Sequence, residues 1–194
     1  MPKLIDHDER RAQIGEALWR IVLRDGVGGV SIREVAAEAG ISAGSLRHVF
    51  ATKDELLLFS MQLVYHRAAT RIAGHVEIDD PVEHGVAVLS EVLPFDDERR
   101  VEMHVNMALI AESGTRPTLR AEAVRAHDGL RQLCRNVIGR LRDYGLVAER
   151  RDVEGEAMRL HALIDGAAMH LVLGDNDPPE AVQRMLTLYL EDLA

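Results

Sequence analysis

Helix-start signals recur along this 194-residue chain, and no stretch alternates with the period of two that a half-buried strand needs. Ser31 with Glu34, and Thr52 with Glu55, each set a hydroxyl three residues ahead of a glutamate. In that pattern the two side chains cap free backbone N–H groups at a helix start. Asp80 with Glu83, and Asp177 with Glu180, repeat the spacing with an aspartate, whose charge suits the positive end of a helix dipole. Pro81, Pro117 and Pro178 stand where a first helical residue has no N–H partner to lose. Gly26, Gly40, Gly114, Gly145 and Gly174 follow apolar-periodic runs, as helix-stopping glycines do. These marks predict an all-α chain of about nine helices, near residues 8–25, 31–38, 42–49, 52–76, 81–93, 97–113, 117–144, 152–173 and 178–193. Two domains are expected, 1–53 and a larger helical 54–194.

Charge divides the chain at the same place. Residues 1–53 hold 8 Lys/Arg against 7 Asp/Glu, whereas 54–194 hold 15 against 25, together the net −9. The acidic remainder would be repelled by a phosphate backbone, so a nucleic-acid partner would meet only the first quarter. No apolar run approaches a bilayer span, "MPKLIDHDERR" lacks a signal-peptide core, and the single Cys134 allows no internal disulfide. The expectation is a cytoplasmic protein with no membrane partner.

Residues 31–49, "SIREVAAEAGISAGSLRHV", have the layout of a helix-turn-helix. Ile32, Val35, Ala36 and Ala39 share one side of the first helix, Gly40 supplies the turn, and Ala36 is small enough for the helices to cross there. Ile41, Leu46 and Val49 are expected to face inward. At about 100° per residue, Ala43, Gly44, Arg47 and His48 share the opposite, outward side. Small side chains there let a helix approach base edges, and Ala43 suits a thymine methyl. Arg47 can fork onto guanine or hold a phosphate, and the Ser42 and Ser45 hydroxyls can bond to either. Thr52 and Lys53 open the next helix, whose free N–H groups and ammonium suit a phosphate.

The longer stretch "RRAQIGEALWRIVLRDGVGGVSIREVAAEAGISAGSLRHVFATKDELL" resembles the N-terminal domain of the tetracycline-repressor (TetR) family of transcriptional regulators. The likeness lies in the Gly-rich link before Ser31, in "VAAEAGIS", and in the spacing of Phe50, Lys53 and Leu56. It covers about a quarter of the chain. The resemblance implies that residues 42–45 form the base-reading turn and that Lys53 contacts backbone. The DNA-binding set becomes Ser31, Arg33, Ser42, Ala43, Gly44, Ser45, Arg47, His48, Thr52 and Lys53. Two positions depart from the family: Arg47 replaces the usual tyrosine, and Val49 replaces a common histidine or aromatic residue. Arg47 or His48 is then expected to take over the missing phosphate-bonding hydroxyl's role.

Beyond residue 76 the resemblance thins to an order of helices, with one echo in "LHALIDGAAMHLVLG". That segment is apolar nearly all round, and the last helix is apolar over roughly twice the arc one core needs. Pairing with a second copy would bury the excess, giving a homodimer through Leu160, Ile164, Ala167, Leu171, Met185, Leu188 and Tyr189. Met61, His66, Met103, His104, Met107, His127, Leu130 and Cys134 mix adaptable apolar groups with polar ones. They form the expected binding set for a small, apolar effector. No phosphate loop, nucleophile elbow or metal motif is present, so an enzyme, a cofactor and a bound metal are not expected. The reading is a ligand-released repressor on a palindromic operator. Its alternative is a helical adaptor whose N-terminal bundle meets protein instead of DNA.

Overall fold

The structure, a computed structural model, describes residues 7–75, 78–174 and 178–194. Among them are nine α-helices and no strand: α1 His7–Asp25, α2 Ile32–Glu38, α3 Ala43–Val49, α4 Lys53–Ala73, α5 Pro81–Ser90, α6 Asp97–Glu112, α7 Pro117–Asp143, α8 Val153–Leu173 and α9 Pro179–Glu191. The expected caps operate. Ser31 Oγ accepts from the Glu34 N–H at 3.1 Å, and Asp80 Oδ1 accepts from Val82 and Glu83 at 2.9 and 2.8 Å. Asp177 lies outside the described residues. The unforeseen element is a short 3-10 turn at Val27–Gly29, between α1 and α2. None of the helices is long and apolar enough to cross a membrane.

The chain packs as two compact units, each discontinuous in sequence: Met1–His66 with His104–Val124, and Arg67–Met103 with Arg125–Ala194. The first unit exceeds the segment 1–53, because α4 up to His66, the second half of α6 and the start of α7 join it. Its fully buried side chains include Leu18, Leu46, Leu56 and Leu57, and Trp19 Nε1–H donates to the buried Ser60 Oγ at 2.9 Å. Phe50 and Phe59 meet with ring centroids 4.9 Å apart, and the Arg11 guanidinium lies 4.8 Å from the Phe59 centroid.

The second unit is built around Leu89, Ile138, Leu160, Ile164, Leu186 and their neighbours on α5, α7, α8 and α9. Each such leucine or isoleucine contributes about 1.5–3 kcal/mol on burial. Gly85 permits the close approach at its centre, since a Cβ there would come 3.0 Å from both Leu190 and Val137. Leu160, Ile164, Ala167 and Leu171, read from sequence as a dimer face, are at most 8% exposed and belong to this core. A side chain with so little surface left has almost none to give a partner. The apolar surface that α8 presents instead is Met158, Met169 and Leu173, joined on α9 by Leu188. Within one subunit, α8 thus turns Leu160, Ile164, Ala167 and Leu171 into its own core and leaves Met158, Met169 and Leu173 outward.

Candidate nucleic-acid interface

Local hydrogen bonds fix the angle between α2 and α3. Gly40 has φ +67, which an L side chain rarely adopts. The Gly40 N–H donates to the Ala37 carbonyl at 3.1 Å, and the Ile41 N–H to the Ala36 carbonyl at 2.9 Å. This paired closure at a left-handed glycine ends a helix and satisfies its last carbonyls. Val35 and Ala36 are buried on α2 at 0% and 1%, and Leu46 faces them from α3 at 0%. Ile41 is only half-buried. Glu38 braces α2 against α1 by accepting from Arg20 Nε at 2.7 Å and Arg24 Nη1 at 3.2 Å, and these bonds hold its carboxyl below the usual range.

At the start of α3 the Ser42 hydroxyl accepts from the Ser45 N–H at 3.0 Å, and the two hydroxyls are 2.9 Å apart. Both serines thus build the helix start, with one O–H donor and two lone pairs between them left for outside partners. Arg33, Gly44, Arg47 and His48 are exposed, while Ser31, Ala43 and Ser45 are half-buried. Val49 is a correction. It was expected to face inward, yet it is 43% exposed. The helix ends at Val49, and the extended backbone at Phe50 (φ −133, ψ 109) turns the phenyl ring back into the core instead. The outward face therefore runs Ala43, Gly44, Arg47, His48 and Val49.

The start of α4 borders this face. Thr52 Oγ1 accepts from the Glu55 N–H at 3.1 Å, and Glu55 Oε2 reaches back to the Ala51 N–H at 2.7 Å. Lys53 turns its ammonium onto the Val27 carbonyl at 2.8 Å and the Gly28 carbonyl at 3.4 Å, both in the 3-10 turn before α2. Burial, then the nearby Arg116 guanidinium, pull its pKa below the usual lysine range. Sequence reading gave Lys53 to phosphate; in the free chain it also ties α4 to the α1–α2 link.

The eight residues read as effector contacts do not share one unit. Met61, His66, His104 and Met107 lie in the first, Met103, His127, Leu130 and Cys134 in the second. Met61 and Cys134 are fully buried, and burial pushes the Cys134 thiol up to about 12, leaving it an inert core group. His66, His104 and His127 are exposed. The His127 ring lies 4.6 Å from that of His161 on α8. His161 is 2% exposed, accepts from Arg131 Nε at 3.1 Å through Nδ1, and has Asp165 Oδ2 3.5 Å from Nε2. No group of three metal-ligating side chains occurs among the described residues.

Comparison with known proteins places the helix-turn-helix region within a family. Residues 14–58 match the family described as bacterial regulatory proteins, tetR family, and residues 81–194 match the BetI-type transcriptional repressor C-terminal family. The HTH-type transcriptional regulator PksA of Bacillus subtilis (strain 168) is 38% identical over 199 residues, covering 100% of this chain and 94% of that protein. A transcriptional regulator from Saccharomonospora viridis, solved in complex with choline, superposes with a TM-score of 0.81 at 27% identity, covering 95% of this chain and 96% of that one. The multidrug binding protein EbrR, solved with imidazole, gives 0.63 at 30% identity, covering 93% and 94%. An adaptor that meets only protein is thereby set aside. The chain belongs to the tetR family of bacterial regulatory proteins and is a DNA-binding transcriptional regulator with a BetI-type C-terminal region.

Proposed function

We propose that this regulator is a homodimeric repressor that holds a roughly palindromic operator with one α3 from each subunit and releases it when a small effector binds. The observation that carries the dimer is the outer face of α8 and α9. There an open groove of about 280 Å³ is lined by Ala162, Gly166, His170, Ala181 and Met185 among others, with Leu188 exposed on α9. Small residues allow helices of two subunits to approach closely, and Met185, Leu188 and Tyr189 remain in the proposed contact. A two-fold dimer would set its recognition helices about one DNA turn apart, roughly 34 Å, or a multiple of it.

On each half-site, Ala43 and Gly44 bring α3 close to base edges while Arg47 reaches guanine or phosphate. The helix-start residues Ser42, Ser45, Thr52 and Lys53, with Ser31 and Arg33, supply the phosphate-facing rim. The effector is proposed to be small and largely apolar. The choline and imidazole bound by the two similar proteins make small nitrogenous molecules the first to try.

Release needs an element that both ligands bias, and α4 is one unbroken helix with residues in both compact units. A tenfold loss of operator affinity requires about 1.4 kcal/mol of coupling, and linkage makes the operator weaken effector binding by the same factor. The test is effector affinity, by calorimetry, with and without saturating operator. Tenfold weaker binding in its presence is expected; equal affinities would refute release.

A further inference from the structure

The first compact unit contains a stretch far from the helix-turn-helix in sequence, His104–Val124. Among the described residues, side-chain pairs tie it to α4 at three places. Tyr65 Oη–H donates to Asn106 Oδ1 at 2.8 Å, Gln62 Nε2–H donates to Glu122 Oε2 at 3.1 Å, and Arg116 pairs with Asp54. The third is placed differently from the others. Tyr65 and Gln62 grip the middle of α4, whereas Asp54 stands in its first turn, next to Lys53.

Arg116 sits in the connection between α6 and α7, where its Nη1 meets Asp54 Oδ1 and its Nε lies 3.4 Å from Glu112 Oε2 of α6. From Asp54 the contacts continue without a break. Lys53 holds the Val27 and Gly28 carbonyls, the 3-10 turn leads to Val30 and Ser31, and Ser31 caps α2. On the other side of the same turn, Thr52 and Glu55 fix residues 51–55, the segment leaving α3. The Arg116–Asp54 pair thus bears on the one short segment that both ends of the helix-turn-helix rest upon. After burial, the Arg116 guanidinium is also the next cause that lowers the Lys53 pKa.

We propose that Arg116 is a positioning residue for operator binding: it holds the first turn of α4 through Asp54 and so sets the presentation of α3, without itself touching DNA. This rests on the DNA-binding reading and adds to it a residue outside the helix-turn-helix sequence. A segment of the C-terminal region thereby bears on the first turn of α4 through this ion pair.

The test uses the full chain and a duplex selected from random sequence by the wild-type protein. Arg116→Ala should weaken binding to that duplex about fivefold, roughly 1 kcal/mol at 1.4 kcal/mol per tenfold. The slope of log affinity against log salt should stay unchanged, because no phosphate contact is lost. In an Asp54→Asn background the same substitution should cost nothing further, as expected of two partners in one contact. Three results would overturn the proposal: unchanged affinity, a salt slope smaller by about 1, which would make Arg116 a phosphate contact, or losses that add across the two sites. If Arg116→Ala unfolds the chain, Asp54→Asn alone, nearly isosteric, should give the fivefold loss at constant slope, and unchanged affinity would again overturn it. A wild-type chain that selects no duplex would strike the DNA-binding reading itself.

Discussion

Replacing Gly166 by arginine should strengthen the single subunit while abolishing the dimer. Gly166 lies in the interior of α8, exposed, and a Cβ built there meets nothing within 4 Å. Within one subunit the substitution therefore introduces no clash and removes a helix-disfavouring residue, a gain of about 0.5–1 kcal/mol. For a chain of this size that raises Tm by roughly 1–4 °C. In the proposed dimer the same position lines the groove where the second copy packs, and a guanidinium there would be desolvated without a partner, at a cost of several kcal/mol. The two effects have opposite signs and separate in the assay. Sedimentation equilibrium at micromolar concentration should show a monomer for Gly166→Arg and a dimer for wild type. The wild-type Tm should rise with concentration, as association by the native state requires, and the variant's should not. A Gly166→Arg protein that sediments as a dimer would refute the assignment of this groove.

Further expectations follow from burial and backbone geometry. Burial, reinforced by His127 and Arg131 against the opposing pull of Asp165, holds the His161 pKa below its ordinary 6.5. The unfolded chain then binds a proton that the folded chain refuses, so this contribution is complete above pH 6.5 and is lost as pH falls below it. In His161→Gln the slope of unfolding free energy against pH should be lower below 6.5, by at most about 1.4 kcal/mol per unit; identical slopes would contradict the buried neutral imidazole. Gly40→Ala should destabilise the fold by about 1 kcal/mol, because its φ of +67 strains any Cβ although no atom lies within 4 Å. Gly139→Ala, in the interior of α7 with equally open space and no positive φ, should stabilise by about as much. Denaturant titration reads both, and equal signs would refute the backbone argument.

The helices were legible because their ends are written locally. Ser31, Thr52, Asp80 and Gly40 act on neighbours within a few residues, so their effect survives whatever the rest of the chain does. The outward face of α3 was legible for the same reason, except at Val49, where the last residue of a two-turn helix is governed by how the chain leaves it. The burial of Leu160 and Ile164 within the subunit was not legible, because a helix that is apolar nearly all round does not say which stripe its own core takes. The effector contacts were least legible. His66 on α4 and Met103 on α6 belong to different compact units, and no local spacing records that. Pairs such as Arg116 with Asp54, or Arg131 with His161, join residues 62 and 30 positions apart and leave no periodic trace.

The central claim is that α3 reads DNA through the face carrying Arg47. The direct measurement is the affinity of wild type and Arg47→Ala for a selected operator and for a scrambled duplex, titrated between 50 and 200 mM salt. Wild type should prefer the operator and lose affinity steeply with salt, by about 10³–10⁵ if the dimer makes roughly 6–10 phosphate contacts. Arg47→Ala should cost on the order of 1–3 kcal/mol on the operator if it reads a base, with discrimination lost at that base pair. If it holds only phosphate, both duplexes should weaken alike and the salt slope should fall. A folded Arg47→Ala protein that binds both duplexes as wild type does, at every salt concentration, would contradict the claim.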